Sequence, residues 1–117
     1  MKKGIDYTGI TVSFRCHDGA GRFVLHRRSH NCRAAHGCWD FGGGGLKFGE
    51  SLEAALVREV KEEFAADILQ SEFLGHRELF REHDGQRTHW LSFIYLVQVD
   101  PAQVRNNEPE KHDEIGW

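Results

Sequence analysis

Residues 44–66 read GGLKFGESLEAALVREVKEEFAA, a glycine-rich lead-in followed by a pattern typical of an amphipathic helix. The apolar positions of that pattern recur about one turn apart, at Leu52, Leu56, Val60 and Phe64. At about 100° per residue, Glu59, Glu62 and Glu63 share roughly a third of the helix circumference beside this apolar stripe. Crowded carboxylates repel one another, and Mg²⁺ and Mn²⁺ prefer such oxygen ligands. The pattern therefore predicts a helix that binds a divalent metal ion.

The same stretch resembles the Nudix box, whose pattern is G-x5-E-x7-R-E-U-x-E-E-x-G-U with U an aliphatic residue. The positions that match at the required spacing are Gly44, Glu50, Arg58, Glu59, Val60, Glu62 and Glu63. Ordinary residue frequencies produce such a match on the order of once per million chains of this length. The departures come at the end, where Ala65 replaces the box glycine and Ala66 replaces a larger aliphatic residue. Because neither position supplies a metal ligand, they concern local geometry more than chemistry.

The two ends of the predicted helix rest on different signals. Ser51 is a preferred N-cap residue, and Glu53 lies in the first turn, where a negative charge is favourable. At the other end, a left-handed conformation at Ala65 would cost roughly 1–2 kcal/mol because of its Cβ. Since alanine is the best helix former, we predict that the helix continues past Ala65 toward Asp67.

The stretch also resembles two other kinds of segment. Gly44-x4-Gly49 begins like a phosphate-binding P-loop, but Glu50 stands where that motif needs lysine. A carboxylate there would repel phosphate. The second interpretation is a solvated acidic helix after a flexible loop, since charge runs are usually exposed faces. The fixed spacing of the box favours the metal-binding interpretation over both.

Length and composition indicate one domain spanning residues 1–117. The net charge is −3, with acids concentrated in the box and the last ten residues, which argues against binding a nucleic acid polymer. No run of about 18 apolar residues predicts a membrane span, and the N-terminus leads into no signal-peptide core. Three cysteines, an odd number, are typical of reduced thiols. We therefore expect a cytoplasmic protein with no membrane partner.

Strand patterns surround the box. Residues 10–15 and 22–28 read as the arms of a hairpin, and residues 39–41 as a short strand entering the box. After the helix, residues 68–78 read as a strand. Residues 79–83 and 88–99 flank Asp84-Gly85, a strong hairpin signal, and the second of these arms is predicted to be a central strand. The start of a last strand is predicted at residues 114–117.

Residues 29–37 form a polar loop, with the sequence His-x-Cys-x3-His-x-Cys at His30, Cys32, His36 and Cys38. Those side chains are potential zinc ligands. Their spacing departs from the Cys-x2-4-Cys and His-x3-5-His pairs of structural zinc sites. A loop bordering the substrate entrance is the favoured interpretation.

The resemblance implies a fold and a set of site residues. The fold is α/β, a mixed curved β-sheet sandwiched between α-helices, here expected to lack the C-terminal helix of similar chains. Catalytic roles fall on Arg58, Glu59, Glu62 and Glu63, and metal binding on Gly44, Glu50, Glu59, Glu62 and Glu63. Substrate binding falls on Arg27, Arg28, Gly43 and Gly45, with Arg28 the better placed arginine. Glu108 and Glu110 are the two candidates for general base.

The resemblance also implies a reaction: Mg²⁺-dependent hydrolysis of a pyrophosphate bond in a nucleoside diphosphate linked to another moiety, with Mn²⁺ as a substitute ion. A noncatalytic nucleotide-binding sensor or scaffold is the alternative, although such domains tend to lose box glutamates. Similar ADP-ribose hydrolases carry a proline, and dinucleoside polyphosphate hydrolases a tyrosine, in the window that here reads Arg81-Glu82-His83-Asp84. The expected substrate is therefore a nucleoside triphosphate, including oxidised forms, and a homodimer is left open.

Overall fold

The computed structural model describes residues 1–32 and 37–117. In chain order the elements are β1 (Gly9–His17), β2 (Leu25–Arg28), β3 (Trp39–Asp40), β4 (Gly43–Gly45), α1 (Leu52–Phe64), β5 (Ile68–His83), β6 (Gln86–Val99) and β7 (His112–Gly116). Within these ranges, α1 is the one α-helix. None of the described segments forms a helix with the length and apolar character needed to cross a membrane.

The strands form two sheets, one of four strands in the order β4-β1-β6-β5 and one of three in the order β3-β2-β7. The larger sheet is mixed, because β1 runs parallel to β6 while its other pairs are antiparallel. Strand β6 lies inside this sheet, as predicted for a central strand. Helix α1 contacts β1 and β4. The acidic helix therefore lies beside the glycine-rich edge strand that precedes it.

A hydrophobic core joins α1 to β1 and β6. Its buried members are Val12, Phe14, Cys16, Val24, Ala55, Leu56, Val60, Phe64, Ala66, Tyr95, Val97 and Val99. Alternate residues of β1 and β6 enter this core, the period of two expected of a strand with one buried face. The predicted helix stripe is confirmed: Leu56, Val60 and Phe64 are buried, and Leu52 packs against the core. This packing directs the neighbouring glutamates toward β4.

The hairpin predicted at Asp84-Gly85 is confirmed, and its first arm is longer than predicted. Asp84 and Gly85 have φ of 50° and 76°, the positive values that a tight two-residue hairpin turn requires. The segments predicted separately at 68–78 and 79–83 form one continuous strand, β5, paired with β6 throughout. The register shifts at Ile68/Gln70 and at Phe73/Gly75. Such bulges add twist and bend to a long strand.

The hairpin predicted between residues 10–15 and 22–28 is wrong beyond its first bridge. A single bridge, His17↔Phe23, joins the chain where it reverses. Strand β1 already has β4 and β6 as neighbours on its two edges. With no free edge available there, β2 pairs instead with β3 and β7 in the smaller sheet. This places β2 where His26, in its middle, reaches the core.

Helix α1 begins where predicted and ends earlier. Ser51 is its N-cap, and the Ala54 N–H donates to Ser51 Oγ at 3.1 Å. The last helical residue is Phe64, and Ala65 adopts a left-handed conformation with φ 58° and ψ 23°. The prediction that the helix continues toward Asp67 is therefore wrong.

Residues 105–107 account for the early end, because they cap the carbonyls of the last turn. The Arg105 N–H donates to the Phe64 carbonyl at 3.0 Å, and the Asn107 N–H donates to the Glu63 carbonyl at 3.1 Å. The Asn107 side-chain amide caps the two preceding carbonyls at 3.3 and 3.0 Å. With the carbonyls already satisfied, further helix offers them no new partner. Tertiary contact thus outweighs the helix propensity of alanine.

We expect Ala65→Gly to raise the free energy of unfolding by about 0.5–1 kcal/mol. Removing the Cβ relieves roughly 1–2 kcal/mol of left-handed strain, and the greater freedom of glycine in the unfolded chain returns part of that gain. Denaturant melts measure the change. The matched control is Ala54→Gly, the same substitution at an exposed position in the first turn of α1, which should destabilise because glycine is a poorer helix former than alanine. If Ala65→Gly destabilises as Ala54→Gly does, the left-handed end of α1 is not strained.

Candidate functional site

The guanidinium of Arg58 is the centre of the acidic cluster. It binds Glu50 through two hydrogen bonds, with Nε donating at 2.8 Å and Nη2 at 2.9 Å. Nη1 donates to Glu59 at 2.6 Å and to Glu62 at 3.3 Å. Nη2 also donates to the Gly45 carbonyl at 3.0 Å. One side chain therefore orients three carboxylates and anchors them to β4.

The pKa values of two of these carboxylates, Glu50 and Glu59, shift in opposite directions. The hydrogen bonds from Arg58 lower the pKa of Glu50 to about 2, so Glu50 stays ionised. Glu59 also accepts a hydrogen bond from Arg58, yet burial is the larger effect and raises its pKa. The charges of Glu62 and Glu108 raise the pKa of Glu59 further. Burial of Glu59 thus outweighs the stabilisation that Arg58 gives to its charged form.

Strand β4 needs glycine at the point where α1 crosses it. Gly44 pairs with Val12 of β1, and a Cβ on Gly44 would overlap the carboxylate of Glu59. At the preceding position, the Gly43 N–H donates to Glu63 Oε2 at 3.1 Å. Strand β4 therefore leaves room for the Glu59 carboxylate, because Gly44 has no side chain, and it binds the Glu63 carboxylate through the Gly43 backbone.

Glu63 has a second set of neighbours that sequence reasoning missed. His26 of β2 and His112 of β7 are 1% and 4% exposed, and Glu63 is 4% exposed. His26 Nδ1 and His112 Nε2 each lie 3.6 Å from Glu63 Oε1. The imidazole rings stack with centroids 3.6 Å apart and planes 12° apart. Neither histidine belongs to a sequence motif, and no signal in the sequence joins two residues on separate strands.

Burial shifts the pKa of each of these three residues in the direction that favours its neutral form. Desolvation raises the pKa of Glu63 well above its ordinary value, and the charge of Glu59 adds to the rise. Desolvation and the charge of His112 lower the pKa of His26 to about 4. The pKa of His112 is also lowered, first by burial and then by the charge of Arg28. Burial therefore favours the neutral form of both imidazoles.

The predicted substrate-binding arginines lie apart from each other. Arg28 lies 3.5 Å from Asp40 and is close enough to lower the pKa of both buried histidines. Arg27 instead lies against β7, with Asp113 at 3.7 Å and Glu114 at 3.4 Å. Arg28 is thus the arginine on the side of the glutamates.

The two candidate bases also differ in placement. The charge of Glu108 raises the pKa of both Glu59 and Glu63, so Glu108 faces the cluster, with Lys111 at 3.4 Å. Glu110 is exposed, and its backbone carbonyl accepts hydrogen bonds from the loop at Ser29. The zinc arrangement considered for that loop includes His36, which lies outside the described residues.

The acidic residues of the cluster supply the carboxylate oxygens that a divalent cation such as Mg²⁺ prefers as ligands. Glu59 and Glu63 are desolvated carboxylates that repel each other, and a cation would relieve this repulsion. The gap at Gly44 keeps the Glu59 carboxylate against the backbone. In the described residues, however, the group whose ligand atoms all lie within 4.8 Å is His26, Glu63 and His112. The carboxylates of Glu59 and Glu62 are directed to Arg58 instead.

The fold and the acidic cluster around Arg58 together define a small α/β domain, in which helix α1 crosses the glycine-rich edge strand β4. The NUDIX domain family model matches residues 8–117. The chain therefore belongs to the Nudix hydrolase family, and the predicted Nudix fold is confirmed. The MutT NUDIX hydrolase from Burkholderia pseudomallei is similar in structure, with a TM-score of 0.82 and 25% identity over 96% of this chain and 83% of that chain.

Two relatives by sequence are RNA pyrophosphohydrolases. The protein of Acinetobacter baylyi is 30% identical over 100 residues, which cover 73% of this chain and 60% of the relative. The protein of Teredinibacter turnerae is 28% identical over 114 residues, which cover 86% of this chain and 64% of the relative. The chain thus spans less than two thirds of the length of both relatives.

Proposed function

We propose that this chain hydrolyses a pyrophosphate bond in a nucleoside diphosphate linked to another group, with Mg²⁺ as the cofactor and Mn²⁺ as a substitute. The observation that carries the proposal is the Arg58 network, which keeps the Glu59 carboxylate ordered against Gly44 and beside Glu62. A solvated acidic helix would have no need of a guanidinium bound to three carboxylates. Retention of all box glutamates also favours catalysis over a noncatalytic sensor or scaffold.

Each residue of the cluster has a proposed task. Glu59, Glu62 and Glu63 would hold the ion, with the Gly44 backbone and Glu50 as further ligands or orienting groups. When bound, a divalent ion neutralises phosphate charge and activates water. Arg58 orients the carboxylates through charge-assisted hydrogen bonds, which fix direction as well as distance.

Other residues would act on the substrate. Arg28 lies on the side of the glutamates and is proposed to bind a phosphate, and Arg27 is the weaker candidate. The backbones of Gly43 and Gly45 would approach the pyrophosphate closely, since neither carries a side chain. Glu108 is the better placed general base, because its charge already acts on Glu59 and Glu63, and Glu110 is the second candidate.

A nucleoside triphosphate, including an oxidised one, is the proposed substrate. A second candidate is the pyrophosphate of an RNA 5′ end, because the two relatives described above are RNA pyrophosphohydrolases. The net charge of −3 disfavours broad contact with an RNA backbone. Recognition of the 5′ end alone needs far fewer phosphate contacts, so the charge does not decide between the two.

A substrate screen with Mg²⁺ tests the function. The substrates are nucleoside triphosphates, oxidised dGTP, ADP-ribose, dinucleoside polyphosphates and a 5′-triphosphorylated RNA oligonucleotide, with release of pyrophosphate or phosphate as the readout. We expect a nucleoside triphosphate to have a higher kcat/KM than ADP-ribose or the dinucleoside polyphosphates, because the residues associated with the latter two are absent. ADP-ribose as the best substrate would overturn this preference.

The same screen separates the remaining alternatives. A higher kcat/KM for the RNA than for every nucleotide would establish the second candidate. Nucleotide binding by calorimetry without turnover of any substrate would support the noncatalytic sensor. The control without Mg²⁺ should show no release, since the carboxylates alone cannot neutralise phosphate charge.

A further inference from the structure

The buried trio of His26, Glu63 and His112 is not explained by the carboxylate network around Arg58. These residues come from β2, α1 and the start of β7, three elements far apart in the chain. Two nitrogen atoms and one oxygen atom converge at a point where the residues are at most 4% exposed. Interiors rarely gather three such groups without giving each a partner.

The contacts of the two imidazoles with Glu63 are too long to be hydrogen bonds. Each N···O distance of 3.6 Å exceeds the range of an N–H···O hydrogen bond. His26 Nδ1 is buried without a hydrogen-bond partner among the described residues, and it faces Glu63. A buried polar atom left unsatisfied destabilises the fold.

We propose that His26, Glu63 and His112 form a binding site for a divalent transition metal of the Zn²⁺ type. Two imidazoles and one carboxylate are the donors that Zn²⁺ and Co²⁺ accept readily, whereas Mg²⁺ prefers oxygen ligands alone. With metal–ligand bonds of about 2.1 Å, adjacent ligand atoms in a tetrahedral site lie about 3.4 Å apart. The observed 3.6 Å is close to that edge length.

The two sides of Glu63 allow this site to form beside the acidic cluster. Oε2 accepts the hydrogen bond from the Gly43 N–H, while Oε1 faces both imidazoles. Coordination requires the stacked rings to turn about the second side-chain torsion, which in histidine has a broad, roughly two-fold energy profile. Three protein ligands leave a fourth position open for water or another ligand.

The position of the site predicts a mechanical effect as well. The metal would connect α1, which belongs to the core of the large sheet, to β2 and β7 of the small sheet. A ligand that binds only the folded chain stabilises it by mass action. The inference shares Glu63 with the proposed function but does not rest on catalysis, because metal binding is measured without substrate.

The test is a titration of the chelator-treated full chain with Zn²⁺ by calorimetry and with Co²⁺ by visible absorption. We expect one Zn²⁺ per chain, the strong d–d absorption of four-coordinate Co²⁺, and a rise of the melting temperature. His112→Asn and His26→Asn should each weaken Zn²⁺ binding by at least about tenfold. Even the mutation of a residue that only hydrogen-bonds to a metal ligand lowers metal affinity by about 10–100-fold. Melting curves of both metal-free variants check that each one folds.

Two matched controls make the result specific. His76→Asn removes an exposed histidine and should leave Zn²⁺ affinity unchanged. Cys38→Ser removes a potential ligand of the polar loop, and it should also leave affinity unchanged. Absence of Zn²⁺ binding in the wild type, unaltered binding in both histidine variants, or loss of binding in Cys38→Ser alone would each overturn the site. Mg²⁺-dependent hydrolysis, assayed separately, reports on the proposed function alone.

Discussion

Glu62→Gln and Glu63→Gln are each expected to lower kcat on the best substrate by about three orders of magnitude. Glutamine keeps the size of the side chain and one carbonyl oxygen but removes the negative charge that holds the ion. Losing most of the charge neutralisation and water activation costs several kcal/mol of barrier, and each 1.36 kcal/mol is tenfold in rate. Steady-state kinetics with Mg²⁺ titration measure the loss, and high Mg²⁺ should partly restore turnover.

The fold should survive both substitutions, for different reasons at the two sites. Glu62 is 46% exposed, so its replacement disturbs little packing. Glu63 is buried, but an amide of equal size fits the same space, and its carbonyl oxygen can still accept the hydrogen bond from the Gly43 N–H. Glu53→Gln is the matched control, because Glu53 is an exposed acid of the same helix outside the cluster and should keep kcat. Near wild-type kcat in both Glu62→Gln and Glu63→Gln would mean that the acidic face of α1 is a solvated surface and not a metal site.

Gly44→Ala is expected to lower kcat by about a hundredfold or more. The new Cβ would occupy the space of the Glu59 carboxylate, which must then move away from both β4 and Arg58. A displacement of about 1 Å of a positioned catalytic group can cost that much in rate. KM and kcat from the same assay separate a loss of chemistry from a loss of binding.

The control for this substitution is the neighbouring glycine. A Cβ at Gly45 would meet only the tip of the Lys3 side chain, at 3.9 Å, and the Gly45 carbonyl would still accept from Arg58. Gly45→Ala leaves the Glu59 carboxylate in place, so it should lower kcat much less than Gly44→Ala, and weaker pyrophosphate binding in Gly45→Ala would appear in KM. Equal losses of kcat in the two variants, or a loss of kcat below threefold in Gly44→Ala, would mean that close approach to Glu59 is not what Gly44 provides.

Local features of the fold could be read from the sequence because their causes are local. The N-cap at Ser51 depends on residues within one turn, and the turn at Asp84-Gly85 depends on two residues with positive φ. The buried stripe of α1 follows from a period of 3.6 residues. The contacts of Arg58 with Glu50, Glu59 and Glu62 lie within one loop–helix segment, so their spacing alone indicated that they meet.

Features that depend on distant segments could not be read in the same way. The sequence favoured a longer helix, but the hydrogen bonds from Arg105 and Asn107 end it at Phe64 and hold Ala65 in a left-handed conformation. A hairpin was the local expectation for β1 and β2, yet both edges of β1 were taken by other strands.

The sequence by itself therefore determined the family, the acidic helix and the residues around Arg58, because one short segment contains them all. Only the tertiary structure decided that Glu63 has two buried imidazoles as neighbours. His26 and His112 meet because β2 and β7 pair in the smaller sheet and α1 packs beside them. Strand pairing depends on which edges remain free once the whole chain has folded, and neither histidine carries a local pattern that records this outcome.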